Sequence, residues 1–354
     1  MTYDPFVRGP YPVGVHTLTL DDTARRRQLP TEIWYPAMDS VRGLDMDDAT
    51  RDQYVLLPGF PAVSQNALRD AVPRAGSHPL VLFSHGFGSH RRQSTFFCTH
   101  LASHGYVVAS LDHLGNTIHD IMQLMLEQAR GKTIPETPAQ ARDFIALRPA
   151  DAIFLLDALL DGVDPVVAPH IDAQRIGISG HSFGGWTTLM VTKRDARISA
   201  ALPLAPAGGG SHMPVRELTE ALDFDWRREV PTTYLVAERD SLLPLYGMRE
   251  LFERTPGSKR LLVLNNADHM HFLDRVEEKH ELFRSVPPPG AFAEVAKTVP
   301  PIGELVSGEA AYLFTNGLGL AHFDAALRGR REATALLDGA VDALALRGVS
   351  ISAA

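Results

Sequence analysis

Apolar residues in this chain fall into short, nearly continuous runs rather than into strict alternation. Residues 80–84, 106–111, 175–179, 198–204, 232–237 and 260–264 all read this way. Strands covered on both faces have this pattern, because neither face calls for polar side chains. Helical segments lie between them: residues 95–104 end at Gly105, and residues 150–160 follow Pro149 and stop before Gly162. Proline fits the first helical turn and glycine the position past the last one. Strand–helix alternation predicts a doubly wound, mostly parallel sheet with right-handed crossovers. Ahead of it, residues 13–20 and 29–35 mix β-branched and polar residues around a charged turn at 21–27, which predicts an N-terminal antiparallel hairpin. Residues 39–77 are rich in Asp, Pro, Gly and Ala, and predict a long loop with one short strand at 54–57.

Two stretches break the rhythm. Residues 114–148 hold a Met- and Leu-rich helical piece at 118–130, followed by a loop containing Pro and Thr. Residues 272–308 follow the last expected strand and include Pro287-Pro288-Pro289. Each is either a helical cap over a site or a plain surface insertion. α/β folds often exceed 200 residues as one unit, so 1–354 reads as a single domain.

Composition narrows the partners. The chain is 45% apolar and 21% charged, which suits a large buried core. A net charge of -8 with no basic stripe excludes nucleic acid and disfavours anionic membranes. The apolar run at 153–160 is broken by Asp157 and is too short to span a bilayer. Cys98 is the only cysteine, so no intrachain disulfide can form. The opening residues show neither a basic n-region nor an apolar h-region. The expectation from these features is a cytoplasmic protein.

Chemistry enters at Gly180-His181-Ser182-Phe183-Gly184-Gly185, a G-x-S-x-G directly after an apolar strand and directly before a helix-like run at 186–193. That setting makes a nucleophile elbow, with glycines where a Cβ would meet crowded neighbours. The helix N-terminus favours negative charge developing at Ser182. Upstream, the strand at 80–84 runs into His85-Gly86-Phe87-Gly88. Such a loop supplies one backbone N–H to an oxyanion hole, and the residue after the nucleophile supplies the other. The candidates are Phe87 and Phe183, with His85 as a hydrogen-bonder that fixes the loop.

These motifs resemble the α/β-hydrolase superfamily over roughly residues 80–272. The resemblance implies a nucleophile, an acid and a histidine in that chain order. Asp240 lies after the run at 232–237, ahead of a helix started by Pro244, and is the candidate acid. An Asp there also caps a helix well, so cap and triad compete for one side chain. Glu238, nearer the strand end, is the local rival. The loop Asn265-Asn266-Ala267-Asp268-His269-Met270-His271 holds two histidines. His269, at the turn itself, is the candidate base, and His271, where the next element begins, is the alternative.

Within that superfamily, His85-Gly86-Phe87-Gly88, Leu111-Asp112-His113-Leu114-Gly115-Asn116-Thr117 and Arg148-Pro149-Ala150-Asp151 look like a bacterial group of dienelactone hydrolase and platelet-activating-factor acetylhydrolase relatives. The opening Tyr11-Pro-Val-Gly-Val and Glu32-Ile-Trp34-Tyr35-Pro36 is similar to that group's hairpin. The likeness implies hydrolysis of carboxylic esters without a cofactor. Dienelactone hydrolases use a cysteine nucleophile, whereas this elbow holds Ser182. The acetylhydrolases carry their acid after the strand that follows the elbow, where this chain has Leu202-Pro203-Leu204-Ala205-Pro206 and no carboxylate. An acid at Asp240 is closer to the layout of cutinase-like polyester hydrolases, which place an aromatic residue where Ala207 stands. Polyester or lipid-ester hydrolysis is therefore an alternative, and acyl transfer to another acceptor uses the same triad.

A metallohydrolase is a different class. Asp268, His269 and His271 form one possible ligand set, and Asp112, His113, His119 and Asp120 another. Neither has helix-borne H-E-x-x-H spacing, and no metal is expected. A binding protein without catalysis is the third class, against which the full Ser, Asp, His and glycine set weighs. Trp186, with Ile118, Met122 and Met125 from an adaptable apolar wall, are candidate pocket residues. The alternative for Trp186 is simple packing against the sheet. No Arg or Lys stands beside the elbow or the His85 loop along the chain, the nearest being Arg91 and Arg92. That predicts a small to medium neutral ester as substrate.

Overall fold

The computed structural model describes residues 3–131, 137–211, 215–288 and 290–354. Residues 132–136 of the first candidate cap segment and Pro289 of the second lie outside the described residues. The strands are β1 (Val13–Asp22), β2 (Arg27–Pro36), β3 (Gln53–Tyr54), β4 (Val63–Ser64), β5 (Leu68–Arg69), β6 (His78–Ser84), β7 (Val107–Leu111), β8 (Ile171–His181), β9 (Ile198–Leu204), β10 (Thr232–Ala237), β11 (Lys259–Leu264) and β12 (Ile351–Ala353). The helices are α1 (Thr95–Ser103), α2 (Ile118–Ala129), α3 (Thr137–Leu160), α4 (Phe183–Arg194), α5 (Arg216–Ala221), α6 (Leu245–Arg254), α7 (Val276–Ser285), α8 (Ala291–Ala296), α9 (Gly308–Arg328), α10 (Arg331–Asp338) and α11 (Ala340–Ala345).

Ten strands form one sheet in the order β12-β11-β10-β9-β8-β6-β7-β2-β1-β5, with β3 and β4 as a separate ribbon. The six apolar runs are β6 to β11, and each pairs in parallel with its neighbours among them. The expected hairpin is β1–β2, antiparallel from Val13 opposite Pro36 to Asp22 opposite Arg27, and β2 lies antiparallel on β7. From β6 the chain goes to β7 on one side and later to β8 on the other. At such a switch point the two departing loops diverge and leave a crevice at the carboxyl ends of the strands. Ser84 and Gly180 face one another in register there, so the loops carrying His85 and Ser182 start side by side.

Helices cover both faces. Alternate residues of a strand point opposite ways. A Cβ on Gly177 would meet Phe323 of α9 at 2.6 Å, while one on Gly180 would meet the Gly184 carbonyl of α4 at 2.4 Å. This is the α/β-hydrolase fold. No helix among the described residues is long and apolar enough to cross a membrane.

Three elements differ from expectation. α3 runs straight through Pro149 instead of starting after it, so what reads as a loop before residue 148 is helical from Thr137. Packing overrides the local breaker: Phe144 and Ile145 lie against the core, and Arg148 is buried. The 39–77 segment is less irregular than expected, with β5 added in parallel to the outer edge of β1. Residues 308–354, which the apolar pattern left unassigned, form α9 to α11 and β12, which pairs antiparallel with β11. α9 buries Phe314, Leu318, Leu320 and Phe323 together with His322 and Asp324, so its covered positions do not make the stripe by which a surface helix is recognised.

Candidate active site

Ser182 sits between β8 and α4 with φ 59° and ψ −118°, a backbone conformation strained for an L residue. Neighbours hold it there: its N–H donates to the Leu204 carbonyl (2.9 Å), and its carbonyl accepts from Trp186 (3.1 Å) and Ala207 (3.0 Å). The flanking glycines are demanded by contact. A Cβ on Gly184 would lie 1.8 Å from the Ser84 carbonyl oxygen. The serine itself is half-buried and still reached by solvent.

Asp240 and His269 meet at the carboxyl ends of β10 and β11, with His269 Nδ1 donating to Asp240 Oδ2 at 2.7 Å. The expected competition between cap and triad does not arise, because the carboxylate divides its oxygens. Oδ1 accepts the N–H groups of Leu242 (3.0 Å) and Leu243 (2.7 Å), leaving Oδ2 to the imidazole. Asp268 staples the two loops together: its carboxylate accepts from Ser241 N–H (2.7 Å), Ser241 Oγ (2.8 Å) and His269 N–H (2.6 Å). Burial opposes a charge on His269, but the facing Asp240 outweighs it and raises the imidazole pKa above its ordinary 6.5.

The rivals are occupied elsewhere. Glu238 is exposed and accepts from Asn266 N–H (2.7 Å). His271 is buried, accepting from Asp268 N–H (3.1 Å) and donating through Nε2 to the Val306 carbonyl (2.9 Å). Its ring and that of His269 therefore serve different partners and do not share a ligand position. In the other histidine–carboxylate set, Asp112 pairs with Arg91 while Asp120 accepts from Thr117, so these carboxylates are committed as well.

A chain of side chains joins the elbow to the upstream loop. His181 Nε2 donates to the His269 carbonyl (3.1 Å), and its Nδ1 accepts from Gln93 (3.3 Å). Gln93 Oε1 in turn accepts Gly86 N–H at 2.7 Å. Gly88 N–H goes to the Asn116 carbonyl (3.2 Å). His85 acts as the expected loop fastener, its Nε2 accepting from His113 N–H (3.0 Å) and its Nδ1 donating to the Gly86 carbonyl (2.7 Å). Among the described residues no acceptor takes the N–H of Phe87 or of Phe183, the two oxyanion candidates.

The expectation that no cation lies beside the elbow is overturned. Arg148, 63 residues away from His85 along the chain, is fully buried and donates to the His85 carbonyl, with its guanidinium 4.5 Å over the Phe183 ring. Long-range packing, invisible to local spacing, brings it there. Arg91 and Arg92 are engaged elsewhere, Arg91 with Asp112 just after β7 and Arg92 with Glu32 of the hairpin (2.8 Å). Beside Arg148 lies a buried, hydrogen-bonded Ser-His-Asp array that sequence reasoning missed. Ser84 Oγ donates to His113 Nε2 (2.9 Å), and His113 Nδ1 donates to Asp151 (3.2 Å). Burial, helped by the Arg148 charge, lowers His113 to about 4, so it is neutral. All three residues are at most 3% exposed, which closes this array to any substrate.

Of the candidate pocket residues, Trp186 needs correction. It has no exposed surface, its indole N–H donates to the Leu218 carbonyl (2.9 Å), and it backs Phe183 at 5.2 Å. The bulk of the indole suits core filling better than a wall. Ile118 and Met122 are half-buried on α2 and Met125 is 36% exposed, while it is Ile121 that lies against Gly88. The aromatic surround comes from elsewhere: Phe87 packs on Phe144 of α3 (6.2 Å) and on Phe292 of α8 (6.0 Å), and Phe144 on Phe183 (6.2 Å).

Fold and elbow thus define an α/β-hydrolase, and comparisons narrow the likeness. Residues 2–137 match the family "Platelet-activating factor acetylhydrolase, isoform II". The chain is 28% identical to Cutinase est1 of Thermobifida alba over 53% of its own length and 52% of that protein's. It is 31% identical to a probable 1-alkyl-2-acetylglycerophosphocholine esterase of Arthroderma benhamiae over 35% of this chain and 30% of that one. The chain spans about half the length of the cutinases it matches. A solved ferulic acid esterase from Streptomyces cinnamoneus superposes with a TM-score of 0.61 at 25% identity, covering 91% of this chain and 92% of that one. The chain is an α/β-hydrolase that resembles serine esterases of the acetylhydrolase and cutinase kind.

The Gly184 contact gives a direct check. Gly184→Ala should lower stability by at least about 1–3 kcal/mol in urea unfolding, because backbone rather than a flexible side chain must yield. Gly303→Ala, where nothing lies within 4 Å, should be close to neutral.

Proposed function

We propose that this chain hydrolyses carboxylic esters through an acyl-enzyme on Ser182, with His269 as general base and Asp240 as the group that orients it. The observation that carries the reading is the strained, solvent-reached Ser182 at a helix N-terminus, next in sequence to His181, which is itself bonded to the His269 backbone. His269 Nδ1–H is committed to Asp240, so Nε2 is the nitrogen free to accept a proton. Ser182 Oγ loses its proton to that nitrogen as it adds to the ester carbonyl. The oxyanion then lies between the unengaged N–H groups of Phe87 and Phe183. His269 returns the proton to the leaving alcohol, and water repeats the sequence to release the acid.

The two insertions act as a cap. Support comes from Phe144 of the first and Phe292 of the second, which both pack on Phe87 beside the oxyanion loop. An aromatic surround favours uncharged acyl groups, and Arg91, Arg92 and Arg148 are each committed to protein acceptors. The substrate class is a small to medium neutral ester. Likeness to cutinase supports polyester cleavage as a second reading.

Ser182→Ala should cost about 10⁴-fold or more in kcat, with His269→Ala close behind and Asp240→Asn costing about 10⁴-fold. Folded His271→Ala should keep most activity; the reverse order of the two histidines would reassign the base. The base works neutral, so kcat/KM should fall as pH drops through the His269 pKa. Because Asp240 raises that pKa, the midpoint should lie above 6.5.

Acetate, butyrate, octanoate and palmitate esters of p-nitrophenol test the substrate class. Short chains should be turned over best, with each methylene worth at most about 1–3 kcal/mol. Preference for palmitate would point to a lipase, and release of acid from a polyester film to the second reading.

A further inference from the structure

We infer that Arg148 is a positioning residue for the oxyanion hole, one buried guanidinium that holds the Phe87 and Phe183 amides at their working separation. The inference rests on the reading of Ser182 as nucleophile and of these amides as its oxyanion donors. It follows from what Arg148 touches. On the upstream side it donates to the His85 carbonyl and to Ser84 Oγ (3.1 Å), at the entry to the Gly86-Phe87-Gly88 loop. It also donates to Asn116 Oδ1, and the Asn116 carbonyl accepts Gly88 N–H (3.2 Å) at the loop's exit. Both ends of the Phe87 loop therefore lead back to one side chain. On the other side Arg148 Nε donates to Thr187 Oγ1 (3.1 Å), and Thr187 donates to the Phe183 carbonyl (2.9 Å). The guanidinium face lies on the Phe183 ring itself. Only a rigid planar fork reaches all these acceptors at once, and an ammonium cannot.

The charge strengthens the case. Among the described residues every acceptor that Arg148 bonds is neutral, a choice a neutral donor could serve without the desolvation cost of a buried cation. The one carboxylate acting on it among the described residues, Asp151, is already held by Arg25 (2.7 Å), Arg27 (2.9 Å) and His113. Burial lowers Arg148 to about 9, which leaves it protonated at neutral pH. A cation without a dedicated counterion among the described residues, set between the two halves of the oxyanion hole, favours the anion that forms there.

The test uses Arg148→Lys and Arg148→Gln in the full chain, with kcat and KM on a neutral ester and the affinity of a boronic acid, whose adduct on a serine is a tetrahedral anion. Folding is checked by near-ultraviolet circular dichroism. Both variants should lose about 10²–10³-fold in kcat with KM changed less than about threefold, and boronate affinity should fall in step. A merely structural role would lower Tm and leave kcat of the folded fraction and boronate affinity unchanged, which overturns the inference. If neither variant folds, Thr187→Val and Asn116→Ala, each removing one hook, decide on the same two readouts. Ser182→Ala is run alongside: if it keeps activity, the parent reading fails, whatever Arg148 does. If it is inactive and the Arg148 variants match wild type, only the positioning role is refuted.

Discussion

A single backbone conformation organises the centre of this molecule. Ser182 is held at φ 59°, ψ −118°, where an L residue costs of order 1–3 kcal/mol, and it stays there only because its surroundings over-determine it. The turn is so tight that the start of α4 presses on the end of β6, at the Ser84 carbonyl. Glycine at 180 and 184 follows from that contact. The same approach brings the Gly86 loop to Ser182, so that a Cβ on Gly86 would stand 3.4 Å from the Ser182 Cβ. Strain at Ser182, its half-buried position and the closeness of the Gly86 loop are one geometric fact seen from three sides.

Around that turn the protein invests in buried polar connections. Arg25 and Arg27 of the N-terminal hairpin hold Asp151 of α3, Asp151 holds His113, His113 accepts from Ser84, and Arg148 closes the chain at the His85 carbonyl. Burial works against the Asp151 charge, but His113 and Arg27 outweigh it and keep its carboxyl below the ordinary carboxylate range. A network of this kind is rigid when fully satisfied, and removing one member strands the others. It makes the hairpin, remote in sequence, part of the scaffold of the site. A parallel link, Gln93 to His181 to the His269 backbone, serves the opposite flank.

Much of this could be read from the chain, for identifiable reasons. Strands β6 to β11 are buried on both faces, so their composition alone betrays them. The elbow and the His85 loop are legible because their chemistry is local: the glycines and the serine sit within five residues of one another. Asp240 and His269 follow from their places at strand ends. Arg148, His113, Asp151 and Gln93 are of another kind, since their meaning lies in partners dozens of residues away, and no spacing rule points to them. Pro149 misled for a related reason, its local preference being overridden by the packing of Phe144 against the core and the burial of Arg148. Trp186 suggested a pocket by standing near the nucleophile, yet on α4 it points into the core toward Leu218.

On the proposed function it is Ser182, and not the sealed Ser84 beside His113, that forms the covalent intermediate. A fluorophosphonate that adds irreversibly to activated serines tests it most directly, read by intact mass and then by mapping the modified peptide. One adduct per chain is expected, on the peptide that contains Ser182, with labelling slowed at pH values that protonate His269. An adduct on Ser84 or any other serine, or none in protein that hydrolyses esters, would contradict it.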